Sequence, residues 1–288
     1  MSVSAGTILK KNHAISVLRK HRAVLVALSG GVDSAALLAI ACEALGSENV
    51  LAVTGRSGSV TEQEVQDARR VARELDVQHE VVDTREIDRP GYRANGGDRC
   101  FHCRSELFEI LAKIAVQRGM EAVAYGAIVD DLGDDRPGME AARQLGILAP
   151  LLDADIGKSD VRELANDLKL HVHNKPANAC LASRIPIGIE VTVERLTQVG
   201  QAEAALRGVG FREFRVRHHG EIARIELGDG EAGRLVDPGL RAAVIRAVKG
   251  AGYRFVAVDL EVYRAGRPRT EGMAGRLYSI EPRRESGQ

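Results

Sequence analysis

The reading of this chain turns on residues 23–34, Ala23-Val24-Leu25-Val26-Ala27-Leu28-Ser29-Gly30-Gly31-Val32-Asp33-Ser34. The first six are a short apolar run of the kind a fully buried strand requires. The run stops at Ser-Gly-Gly, and an apolar helical pattern follows over residues 33–45, with Gly46 as its C-terminal stop. Strand, glycine turn and helix in immediate succession make an anion site. Glycines let the backbone approach a ligand closely and adopt positive φ, and the free amides and dipole of a helix start favour negative charge. The hydroxyls of Ser29 and Ser34 add donors. The turn is not a Walker A loop, which is longer and carries a Lys after its last Gly, nor a Gly-x-Gly-x-x-Gly dinucleotide turn. Ser29, Gly30, Gly31, Asp33 and Ser34 are therefore candidate phosphate-binding residues; the competing reading is a plain, well-capped strand-to-helix turn.

The alternation continues outward. Residues 50–54, 80–83 and 121–125 read as strands. Residues 61–75 read as a helix whose Thr61-Glu62-Gln63-Glu64 has capping-box spacing, and 102–118 as another. This alternation predicts an α/β fold, a doubly wound parallel sheet with helices on both faces. Ser159 is placed to cap a helix to about residue 168. Residues 174–188 have no apolar period and read as a functional loop. Beyond them the pattern becomes helix 192–207, paired strands 213–218 and 222–227, helix 239–249 and strand 255–262, a smaller C-terminal α+β domain. The expected division is 1–184 and 185–288, with a loosely ordered tail from Arg264.

Composition narrows the function. Forty Lys and Arg balance forty Asp and Glu, aromatics are 3%, and Trp is absent. A neutral chain with few stacking rings is not built chiefly to grip nucleic acid. The longest apolar run is eight residues, far short of the ~20 a membrane span needs. Residues 1–16 hold no apolar leader segment, so a cytoplasmic location is expected. Four cysteines in 288 residues are too few for a disulfide scaffold.

Gly126, with Asp130 and Asp131 after it, ends the strand at 121–125, and open parallel sheets bind ligands at that edge. Asp130 or Asp131 suits Mg²⁺ or, equally, a solvated helix cap. Cys100 and Cys103 form a Cys-x-x-Cys, which fits zinc, iron–sulfur or redox chemistry. Cys180 lies in the 174–188 loop. Three thiolates from two loops suit three irons of a 4Fe–4S cluster with one iron open; structural zinc is the alternative. Cys180 also suits a nucleophile, with Lys175 and Arg184 near in sequence as cations that lower a thiol pKa. Cys42 sits in an apolar helix and reads as core.

The Ser29–Ser34 hexapeptide resembles the signature of the PP-loop ATP pyrophosphatases. Residues 29–34, 95–103, 130–138, 179–188 and 215–226 together resemble the LarE-type ATP-dependent sulfur transferases of nickel-pincer nucleotide synthesis. That resemblance implies that ATP, with Mg²⁺, adenylates a carboxylate of a pyridinium dicarboxylate mononucleotide and that Cys180 displaces AMP. It implies a three-cysteine branch, in which a 4Fe–4S cluster on Cys100, Cys103 and Cys180 supplies sulfide. It further implies nucleotide or substrate phosphate at Ser183 and Arg184, a phosphate and metal site at Arg215, Arg217 and Glu203, and a homo-oligomer, a hexamer. A tRNA thiolase, an NAD or GMP synthetase-like amidating enzyme, and a zinc-containing ATP sensor are the alternatives.

Overall fold

The computed structural model describes residues 3–132, 136–176 and 180–263. Four strands, β1 (Val24–Ala27), β2 (Val50–Arg56), β3 (Gln78–Asp83) and β4 (Ala122–Tyr125), form a parallel sheet in the order β3-β2-β1-β4. Three helices precede or connect the first strands: α1 (Ala5–Leu18), α2 (Val32–Leu45) and α3 (Glu62–Glu74). Two more follow β3, α4 (Pro90–Arg93) and α5 (Arg99–Gln117). After β4 come α6 (Arg136–Gln144), α7 (Pro150–Asp153) and α8 (Lys158–Asp167).

Alternate residues along each strand feed two cores. Val24, Val26, Val50, Ala52 and Ala124 pack against α1, α2, α3 and α8 on one face. Leu25, Leu51, Val53, Val123 and Tyr125 pack against Phe108, Leu111 and Ala115 of α5 on the other. Both faces are covered, so the doubly wound expectation holds. Cys42 packs against the first core, and burial pushes its thiol up to about 11.

The second sheet joins β5 (Phe214–His219), β6 (Ile222–Leu227) and β7 (Phe255–Val258) in that order, antiparallel then parallel. Helices α9 (Val193–Gly208) and α10 (Pro238–Gly250) cover one face, closing a separate core around Phe211, Phe214, Val216, Ile225 and Val248. The smaller α+β unit is therefore present, though β7 ends four residues before the strand expected there. The tail from residue 264 lies outside the described residues.

Three local expectations are corrected. Ser159 is not a cap: α8 starts at Lys158, Gly157 is its N-cap, and Asp160 Oδ2 accepts the Gly157 N–H at 3.0 Å. Cys100 and Cys103 are not in a loop. They lie in the first two turns of α5, which begins at Arg99, three residues earlier than its apolar period suggests. Helix α1 had no visible signal, because only Thr7, Ala14, Ile15 and Leu18 along its length are buried.

Candidate active site

The Ser29–Ser34 turn sits at the C-terminal end of β1, and the loop after Gly126 at that of β4, its hydrogen-bonded neighbour. The chain steps outward from β1 to β2 and β3 and then crosses back to β4 on the other side of β1, so the crevice lies where strand order reverses, the usual ligand position in such sheets. The turn is bound to itself. Ser34 Oγ accepts the Ser29 N–H at 3.1 Å and lies 3.0 Å from Ser29 Oγ, which accepts the Gly31 N–H at 3.3 Å. Gly30 has φ +74°, and a Cβ there would stand 2.3 Å from the Glu64 carbonyl oxygen of α3. A Cβ on Gly126 would meet the Ser34 nitrogen at 2.9 Å. Both glycines let backbone meet backbone, and both are needed for the crevice to close to this width. Gly31 is the N-cap of α2 and offers no side-chain cap, so the first amides of the helix are available to an anion.

Asp33, in the first turn of α2, is held by Lys158, whose Nζ lies 2.9 and 2.8 Å from its two carboxylate oxygens. Burial pushes the Asp33 carboxyl up; Lys158 opposes the shift, and Asp131 and Asp130 add to it. Asp130 accepts the Lys158 backbone N–H at 2.8 Å and Asp131 that of Ile128 at 3.0 Å. The oxygen donors suit a hard cation, which commonly takes one or two carboxylates and completes its shell with water and substrate phosphate. Sequence reasoning missed Lys158, whose pairing with Asp33 spans 125 residues.

Lys175 is held on the turn. Its Nζ bonds the Gly30 carbonyl at 2.8 Å and Asp67 of α3 at 2.5 Å, tying the turn to that helix. Six residues on, Leu181 donates its N–H to the Ser59 carbonyl at 2.9 Å. Ser59 follows β2, so the segment carrying Cys180 is fastened at both ends across the carboxyl edges of β1 and β2.

Cys103 and Cys180 both pack against the small core of Tyr92, Leu181, Ile185 and Leu196. Tyr92 hydrogen-bonds Ser59 through its hydroxyl. Burial pushes the Cys103 thiol well up, and the buried Glu86 carboxylate, Cys180 and Cys100 add to the rise. Glu86 accepts from Ser57 Oγ at 2.5 Å and Thr84 Oγ1 at 2.8 Å. The three thiols thus share one region. Among the described residues, however, no three His, Cys, Asp or Glu side chains are grouped to hold a metal ion. The sulfur donors fit an iron–sulfur cluster or zinc by type, but their placement does not form either site, and Cys103 sits where the neutral thiol is favoured.

Ser183, Arg184, Glu203, Arg215 and Arg217 are brought together, as a seam joining the 3₁₀ turn Leu181–Arg184 to α9 and β5. Arg184 donates from Nε to Glu203 Oε1 at 2.8 Å and from Nη2 to Oε2 at 3.1 Å, with both side chains 0% exposed. Arg184 Nη1 also reaches the Cys180 carbonyl at 3.1 Å and Ser183 Oγ at 3.0 Å. Glu203 Oε1 accepts the Val216 N–H at 3.1 Å. Arg217 bonds Glu226 and the Ser183 carbonyl, and Arg215 lies 4.7 Å over the Tyr263 ring, its guanidinium pKa lowered by burial and by Arg184. Glu203 is therefore an internal partner of Arg184, not an open Mg²⁺ ligand in this conformation, and the Arg184 guanidinium faces the interior rather than the crevice.

A family profile described as NAD synthase matches residues 12–98. NH(3)-dependent NAD(+) synthetase of Methanopyrus kandleri is 43% identical over 63 residues, 22% of each chain. The profile covers part of the half that holds the four-stranded sheet, and the second likeness less than a quarter of either chain. An uncharacterized protein of Synechocystis sp. is 39% identical over 243 residues, 84% of this chain and 90% of that protein. Pyridinium-3,5-bisthiocarboxylic acid mononucleotide synthase of Lactiplantibacillus plantarum is 37% identical over 260 residues, 90% of this chain and 93% of that protein. The chain belongs to the LarE-type family of ATP-dependent sulfur transferases. As a LarE-type enzyme it is an α/β protein of the PP-loop class. No helix among the described residues is long and apolar enough to cross a membrane.

Proposed function

We infer that this LarE-type enzyme uses ATP to convert a carboxylate of a pyridinium dicarboxylate mononucleotide into a thiocarboxylate. The PP-loop turn receives the β- and γ-phosphates on the uncapped amides of α2. The substrate carboxylate oxygen attacks the α-phosphorus, the bond to the β-phosphate bridging oxygen breaks, and pyrophosphate leaves with the electron pair. The Cys180 sulfur then attacks the acyl carbon, and AMP departs to leave a thioester. Mg²⁺, bound through Asp33 with Asp130 or Asp131, would neutralise phosphate charge. The two anchors on either side of Cys180, Lys175 on the loop and Leu181 on Ser59, are the observation that supports the reading: they lie on the loop's own edge of the sheet.

Where the sulfur comes from divides two courses. Elimination across Cys180, in which a base takes the Cα proton, the Cα=Cβ bond forms and the Cβ–S pair leaves with sulfur, gives the thiocarboxylate and leaves dehydroalanine, once per chain. In the three-cysteine reading, Cys100, Cys103 and Cys180 would hold a 4Fe–4S cluster, which when bound would be the source of the sulfide. Assembly as a homo-oligomer belongs to the same proposal.

Incubation of the full chain with MgATP and the dicarboxylate mononucleotide should release pyrophosphate and AMP and give a product in which sulfur replaces oxygen by mass spectrometry. Pyrophosphate release without a sulfur-containing product, with all three cysteines reduced and sulfide supplied, would contradict the sulfur-transfer reading.

A further inference from the structure

The PP-loop turn carries no cation of its own between Ser29 and Ser34, yet its reaction leaves negative charge growing on a departing pyrophosphate. Two ammonium groups touch the turn. Lys175 holds the Gly30 carbonyl and Asp67, and so fastens the turn to α3. Lys158 is differently placed. Its backbone N–H is fixed on Asp130, in the loop after β4, while its Nζ reaches across to Asp33 at the start of α2. Root and tip therefore stand on opposite walls of the crevice, and the side chain is 26% exposed against 27% for Asp33. The stem is flexible, so the ammonium can exchange one anion for another without moving the backbone.

We propose that Lys158 is the phosphate-contacting cation of the adenylation step, parked on Asp33 until ATP enters and then transferred to an oxygen of the triphosphate. The proposal rests on the adenylation reading above. The Lys158–Asp33 pair, partly exposed, contributes little to stability, so it is a ready donor of its ammonium. On the triphosphate the charge opposes the negative charge that builds on the leaving oxygen as the α-phosphorus bond to it breaks. Electrostatic stabilisation of this kind needs a cation already in place, because none has to be brought in as the charge develops.

The test is calorimetric titration of the full chain with MgATP and, separately, with adenosine, for the wild type, Lys158→Met and Lys158→Arg. Losing one charge-assisted bond to phosphate should weaken ATP binding roughly ten- to a hundredfold in Lys158→Met. Adenosine, which has no phosphate, should bind all three alike, and Lys158→Arg should recover most of the ATP affinity. Equal ATP affinity in wild type and Lys158→Met overturns the assignment, as does an equal loss of adenosine and ATP binding, which marks a purely structural role. Pyrophosphate release separates the two levels. A wild type that binds ATP but releases none with the dicarboxylate mononucleotide refutes the adenylation reading, while the ATP–adenosine contrast still judges Lys158.

Discussion

Replacing Glu203 with Gln tests the seam that anchors the Cys180 segment. The wild-type carboxylate answers two nitrogens of Arg184 and the Val216 N–H, with neither side chain of the ion pair exposed to solvent. Gln supplies one acceptor oxygen and turns an NH₂ group toward donors, so at least one buried N–H is left unmatched. It also leaves the Arg184 charge uncompensated beside Arg215, whose guanidinium already suffers from that neighbour. Stranding one partner of a buried ion pair costs about 3–5 kcal/mol. That corresponds to a fall in Tm of roughly 6–20 °C at about 2–4 °C per kcal/mol. Urea unfolding followed by circular dichroism measures the first quantity and a thermal scan the second. The paired replacement Arg184→Met with Glu203→Leu removes both charges and should recover most of the loss, since apolar pairs commonly substitute for buried ion pairs at little cost. Glu203→Gln within about 1 kcal/mol of wild type, well below the range expected for a stranded buried partner, would refute the reasoning.

Other substitutions probe the crevice and the sheet. Gly30→Ala should abolish detectable ATP binding by calorimetry and lower stability, because its Cβ meets the Glu64 carbonyl oxygen and its φ is +74°. Cys180→Ala should retain ATP-dependent pyrophosphate release in a coupled assay but form no thiocarboxylate, since the thiol enters only after the adenylate. His79, beside Thr54 Oγ1 at 2.8 Å, is lowered from 6.5 to about 4 by burial first and by Arg69 second. The unfolded chain then binds the proton more readily than the folded one between those values. Stability should fall as pH drops from about 6.5 toward 4, and denaturant titrations should show a shallower fall in His79→Gln.

The sheet was legible because buried parallel strands are apolar without interruption, and residues 23–28 and 121–125 need no partner to show it. The Ser29–Ser34 turn was legible as a break between strand and helix because its glycines and hydroxyls are clustered. Helix α1 was not, since its buried stripe is one residue wide over most of its length. The crevice's second wall was hidden for a different reason. Lys158 and Asp33 carry ordinary surface residue types, and their meeting depends on α8 docking beside α2. The same holds for Arg184 and Glu203, nineteen residues apart on unrelated elements. Cys100 read as lying outside the helix expected from residue 102, whereas α5 starts at Arg99.

The most direct trial of the account is a crystal structure of the chain soaked with ATP and Mg²⁺. The account predicts the β- and γ-phosphates seated on the backbone amides of residues 30–34, with the adenosine lying along the crevice between the ends of β1 and β4. An ordered nucleotide elsewhere, with the Ser29–Ser34 turn unchanged and bare, would contradict it.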